Sequence, residues 1–145
     1  MTQASNYLEN KLTDLIFRGQ AFTAPATLYV SLHTADPTDA AGGAEVSGGS
    51  YARVPITASL ANWAGTQSAG STTASSGTGG ASSNNGAVTF PAPTANWGSV
   101  THFGIWDALS GGNLLVYGAL TVPKTVNNGD AAPSFAAAAL AVTIA

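Results

Sequence analysis

The clearest pattern comes first in the chain. In the segment SNYLENKLTDLIFRGQ, Leu8, Leu12, Leu15 and Ile16 recur at i, i+4, i+7 and i+8, one stripe of an amphipathic helix. The spacing predicts a helix over 5–19. Asn6 suits its N-cap with Glu9 three residues on, Asp14 and Arg18 pair across one turn, and Gly19 suits a left-handed end. After Pro25 the period changes to two: in TLYVSLH, Leu28, Val30 and Leu32 alternate with Tyr29, Ser31 and His33. YARVPIT predicts a second strand, confined by Pro55 to an edge or a bulge. AVTFPA is a short strand stopped at Pro91. SVTHFGIWD and NLLVYGALTV read as two strands joined across Ser110-Gly111-Gly112. The tail FAAAALAVTIA mixes helix-favouring alanine with a strand-favouring Val142-Thr143-Ile144 end, and is read as a strand. One helix followed by many short strands predicts a mainly β fold, a β-sandwich or jelly-roll-like single domain spanning 1–145 with one N-terminal amphipathic helix.

Residues 64–87 break the pattern. They read AGTQSAGSTTASSGTGGASSNNGA, without a charged or aromatic residue. This is an inserted Gly/Ser-rich loop, and such a composition buries too little apolar surface to offset the entropy of ordering it. The expectation is that it orders against another chain.

Composition narrows the functional classes. The chain of 145 residues has no cysteine, which removes disulfides and thiolate metal sites. Charged residues make up 8%, against about 25% in ordinary domains. That low charge suits surfaces packed against copies or partners. The net charge of -3, with only Lys11, Arg18, Arg53 and Lys124 positive, gives no footprint for nucleic acid. No apolar run is long enough to span a membrane, and the polar start MTQASNYLENK is unlike a signal peptide, so a protein made in a cytoplasm is expected.

Candidate chemistry is sparse. Asp36, Asp39 and Glu45 place three of the seven acids within ten residues, the one place where a hard cation such as calcium could find oxygen ligands. The spacing is not that of an EF-hand, and Asp36 before Pro37 is also an ordinary turn residue. His33 and His102 could pair with Asp36 or Asp107 for acid–base work, yet no serine sits in a nucleophile elbow and no phosphate-binding glycine motif is present. Trp63, Trp97, Trp106 and Tyr51, with Tyr29 and Tyr117, offer either a sugar-stacking or contact surface or ordinary core aromatics. The reading is no catalytic residue, no cofactor and no established metal ligand.

Several stretches together, NYLENKLTDLIFRG, YVSLHTADPTDA, EVSGGSYAR, AVTFPAPTANWGSVTHFGIWDA and GGNLLVYGAL, resemble a group of small tailed-bacteriophage virion structural proteins, often labelled tail-fibre-like. The resemblance spans nearly the whole chain apart from 64–87. It implies a non-enzymatic particle component that is assembled in the host cytoplasm, docks on other virion proteins and forms homo-oligomers. No catalytic residues come with it. The expected role is a capsid decoration or cement protein beside the major capsid protein. The alternative is a tail-fibre or host-adhesion module that binds carbohydrate.

Overall fold

The computed structural model describes residues 2–144. Its first strand, β1 (Thr2–Ala4), leads into helix α1 (Asn6–Phe17), followed by β2 (Thr27–His33) and β3 (Val54–Thr57). Short strands β4 (Ala81–Ser83) and β5 (Val88–Thr89) precede the long pair β6 (Gly98–Trp106) and β7 (Leu114–Val126). The chain ends with β8 (Ser134–Phe135) and β9 (Ala141–Thr143). The main sheet is antiparallel throughout, in the order β1-β7-β6-β2-β3. Two small antiparallel pairs, β4-β9 and β5-β8, supply the second layer of a β-sandwich.

The alternation in β2 and β6 decides what lies on each side of the main sheet. Val30, Leu32, Phe103 and Ile105 point to one face. There they meet Leu8 of α1, Val88 of β5 and Phe90 just after it, and Leu140 and Val142 around β9. Phe135 packs edge-on against both Phe90 and Phe103, with centroids 6.3 and 6.1 Å away. Each large apolar side chain taken fully out of water there stabilises the fold by roughly 1.5–3 kcal/mol. The other face carries a smaller cluster of Trp106, Leu114 and Tyr117, together with Ser31 and His33.

The helix starts one residue earlier than the capping pattern predicts. Ser5, not Asn6, is the N-cap: its Oγ accepts from the Leu8 amide at 3.3 Å and donates to the Leu114 carbonyl. The pairing of β1 on β7 brings Ser5 to this point, where its own amide donates to Leu115 at 2.9 Å. Glu9 therefore lies beyond the capping-box position. Arg18 caps the other end and pairs with Asp14 at 2.9 Å, and Gly19 takes φ +64°. Only part of the stripe is covered: Leu8 is buried and Leu12 half-buried, while Leu15, Ile16 and Phe17 are exposed.

Pro55 sits in β3, the outer strand of the sheet, where a missing amide is tolerated. The β6–β7 hairpin turns at 107–113, and Gly111 and Gly112 both take positive φ. The tail, read as one strand from Phe135, is a strand only at 135 and 141–143, with a turn at 137–139 between, and β1 carries no pattern that would announce it. Residues 64–87 are less formless than their composition suggests. β4 lies inside them, Ser83 and Asn84 are buried, and Asn84 binds Gly86, Ala136 and Leu140 through its side chain. Residues 66–76 close on themselves through exposed hydrogen bonds around Gln67. Thr2 and Thr143 fasten β1 to β9, the Thr143 amide donating to Thr2 Oγ1 at 2.7 Å and Thr2 Oγ1 to the Thr143 carbonyl at 3.1 Å.

Candidate functional site

The polar groups that gather in this fold do so on the smaller side of the sheet, around Arg53. Strand β2 places Ser31 and His33 on that face, two residues apart, and β6 places Trp106 beside them. The loop after β2 returns to bridge Glu45 opposite His33. Arg53, just before β3, is buried. Its guanidinium grips both Glu45 oxygens, Nε to Oε1 at 2.8 Å and Nη2 to Oε2 at 2.7 Å. Nη1 donates to the carbonyls of Ala108 and Gly111 at 2.8 and 2.9 Å, and the group stacks 3.8 Å from the Trp106 ring centre. One side chain thus ties the loop after β2 to the β6–β7 turn. An Arg fork suits this task because it is planar, always charged and weakly hydrated.

A second chain of bonds runs inward. Trp106 Nε1 donates to Ser31 Oγ at 2.8 Å, and Ser31 Oγ lies 2.7 Å from His33 Nε2. Gly104 makes this possible, because a Cβ there would fall 2.8 Å from Ser31 Oγ and 3.0 Å from Trp106 Nε1. Burial pushes the His33 pKa down to about 4, more than the nearby Glu45 carboxylate can offset, with Arg53 and His102 adding to the fall. The ring is therefore neutral near pH 7. Its Nδ1 is buried and makes no hydrogen bond. Burial alone would raise the Glu45 carboxyl, but hydrogen bonds from Arg53 and Tyr51 outweigh it and hold the group below the usual carboxylate range. Tyr51 donates to Glu45 Oε1 at 2.9 Å and accepts from the Leu32 amide at 3.0 Å. Burial, with Glu45 adding to it, drives the Tyr51 phenol upward, so it stays protonated.

Ser31, His33 and Glu45 have the residue types of a nucleophile, a base and an orienting acid. The geometry denies them that chemistry. Ser31 is 0% and His33 1% exposed, so a substrate carbonyl has no path to the hydroxyl. The arrangement holds loops in place.

The residues singled out from sequence fare differently. Asp36, Asp39 and Glu45 do not converge. Asp36 accepts from the Thr38 amide at 2.8 Å as a turn residue, Asp39 accepts from the Tyr117 hydroxyl, and Glu45 belongs to Arg53. Among the described residues no group of three or more His, Cys, Asp or Glu is placed to hold a metal ion. His33 pairs with Ser31 rather than with Asp36, while Asp107 holds the Asn113 amide at 2.6 Å. His102 lies opposite His33 in the ladder, half-buried, with Nδ1 2.8 Å from Thr101 Oγ1.

The aromatic residues read as a contact surface differ in burial. Trp97 and Trp106 are both 6% exposed, and Tyr51 and Trp63 are half-buried. Tyr51 meets Trp97 edge-on at 5.4 Å, and Trp97 Nε1 donates to Gly49 at 3.0 Å. Trp97 and Trp106 belong to the packing, each with its indole N–H satisfied locally, whereas the buried Trp63 Nε1 makes no hydrogen bond. Sequence reasoning passed over Arg53, Ser31 and Gly104. The available signal was Arg53 itself, a lone cation in the strand-like YARVPI within a chain that has only four.

The remaining features are open surface. A trough of about 510 Å³ lies between β7 and the β8–β9 segment, lined by Phe90, Val100, Phe103, Leu120 and Phe135. No helix of the described residues is long and apolar enough to cross a membrane. No curated protein matches this sequence. The family model described as podophage GP4 fiber I protein gp80 matches residues 3–143. That match runs from β1 to β9 and takes in both polar networks, and the chain belongs to this phage fibre protein family.

Proposed function

We propose that the protein is a non-enzymatic virion structural protein that associates with copies of itself and docks on the particle surface. The observation that carries this reading is the family match over residues 3–143. The site geometry supports it, since Ser31 and His33 are sealed in the fold and Glu45 is engaged by Arg53. Two placements on the particle follow. As a capsid decoration or cement protein, the chain would sit beside the major capsid protein. As a fibre component it would act in the tail, a placement supported by the description of its family. A carbohydrate-binding role in that second placement draws no support from Trp97 and Trp106, which are buried.

Copy number per virion separates the two: hundreds of copies for a decorated shell, about a dozen or fewer for a fibre, since copies follow the symmetry of the assembly. Quantitative mass spectrometry of purified particles measures it. The non-enzymatic reading has its own test. Purified protein and a folded His33→Ala/His102→Ala variant are compared for hydrolytic turnover, and turnover that disappears in the variant would overturn it.

A further inference from the structure

Two surface features of this chain complement each other. The first is the last turn of α1, where Leu15, Ile16 and Phe17 are 43%, 66% and 80% exposed. Three successive apolar side chains form a knob whose tip, Ile16 and Phe17, is largely uncovered. Asp14 and Arg18 beside it neutralise each other at 2.9 Å. The knob also presents the carbonyl end of a 12-residue helix, the negative end of its dipole, with no basic residue in the last turn.

The second is the trough between β7 and the β8–β9 segment. Its volume of about 510 Å³ lies in the range of sites that enclose small ligands, roughly 300–1,000 Å³, so it has room for two or three apolar side chains. Phe90, Phe103 and Val126 form a floor that is already dry. At the mouth Val122 is 73% exposed, and Lys124 is the one charged residue of the lining. The β6–β7 ladder jumps from Val100–Lys124 to His102–Ala119, so Leu120 through Pro123 bulge without a partner in that ladder and leave the mouth open. Among the described residues Lys124 makes no ion pair.

We infer that the exposed end of α1 in one copy inserts into the β7–β9 trough of a second copy, with Lys124 facing the carbonyl end of the inserted helix. The occupant is a second copy because the chain itself carries the matching knob, apolar where the trough is apolar and negative where its mouth is positive. The inference rests on the self-association proposed above and assigns its surface. The contact is head-to-tail: each copy offers one knob and one trough, so it propagates into a ring or a filament instead of closing as a two-fold dimer. Its footprint is small beside the roughly 1,200–2,000 Å² of stable interfaces, so single contacts are weak and repetition supplies the strength.

Complementation tests this. An Ile16→Ser/Phe17→Ser variant removes the knob, and Val122→Asp puts a repelling carboxylate at the trough mouth. All three positions are exposed, so both variants should melt as the parent does. Ala139→Trp, filling the trough from its exposed rim, gives a second blocked form. In sedimentation runs up to about 1 mM, the affinity scale of weak contacts, the parent should associate with rising concentration and each variant alone should remain monomeric. An equimolar mixture of the knob variant with either trough variant should form a one-to-one pair, since one intact knob and one intact trough remain. A parent that associates while the mixtures stay monomeric would overturn this inference alone. So would a knob variant that associates as well as the parent. A parent that is monomeric throughout would overturn both this inference and the self-association on which it rests.

Discussion

His33 shows how one buried side chain sets a property of the whole protein. The ring is 1% exposed and its pKa falls to about 4, against about 6.5 in an unfolded chain. The unfolded state therefore binds the proton first as pH falls. Stability from this residue is complete above about pH 6.5 and is lost progressively as pH drops toward about 4, reaching about 3 kcal/mol in all. Glu45, held below its ordinary range, adds a loss in the same direction at lower pH. Urea midpoints measured between pH 7 and 5 should fall with acid in the parent and stay nearly flat in His33→Asn. An equal slope in both would show that His33 does not carry the effect. None of this was legible from sequence. His33 reads as one polar position in an alternating strand, and its surroundings come from far along the chain: the Trp106 ring, some seventy residues on, stacks with it at 6.3 Å.

At the scale of elements, period was the reliable signal. TLYVSLH became β2 residue for residue, and Pro55 marked an edge strand because only an edge tolerates the missing amide. The helix was visible, but its cap was misplaced. Asn6 has the right residue type, yet β1 delivers Ser5 to the carbonyl of Leu114, and a three-residue strand leaves no periodicity to read. The stripe also overstated burial, since a sequence shows that a face is apolar and not what covers it. Leu8→Ala should therefore cost about 2–5 kcal/mol, and Leu12→Ala, only half-buried, clearly less. Thermal denaturation of the two variants checks the order. An equal loss would mean that Leu12 is covered in solution.

Across the whole molecule, the Gly/Ser-rich segment divides in two. Residues 66–79 are held mainly by their own hydroxyls and Gln67, with Asn85 reaching the Ser71 carbonyl at 3.2 Å. Composition hides 81–85, where small polar residues build β4 and bury Asn84. Asn84→Ala would strand the Leu140 amide and the Ala136 carbonyl, at roughly 1–3 kcal/mol for each group left unpaired. Replacing 67–79 with a short turn should leave the melting temperature nearly unchanged. In hydrogen exchange the amides of 81–84 should be protected in the free protein. Those of 67–79 should exchange quickly there and slow down in the assembled particle, the sign of a contact with a neighbour.

The clasp between Thr2 and Thr143 has a consequence for synthesis. β1 needs β7 on one side and β9 on the other, and Ser5, the N-cap of α1, is held by carbonyls of β7. Residues 2–5 thus wait for residues 114–118 and 143 before their places exist. Long-range closure of this kind slows folding. Chains stalled with 130 residues outside the exit tunnel should be cut by protease throughout their length, and resistance should arrive in one step once residue 143 emerges. Early resistance of the first hundred residues would show that the two ends are fastened only after the sheet has formed.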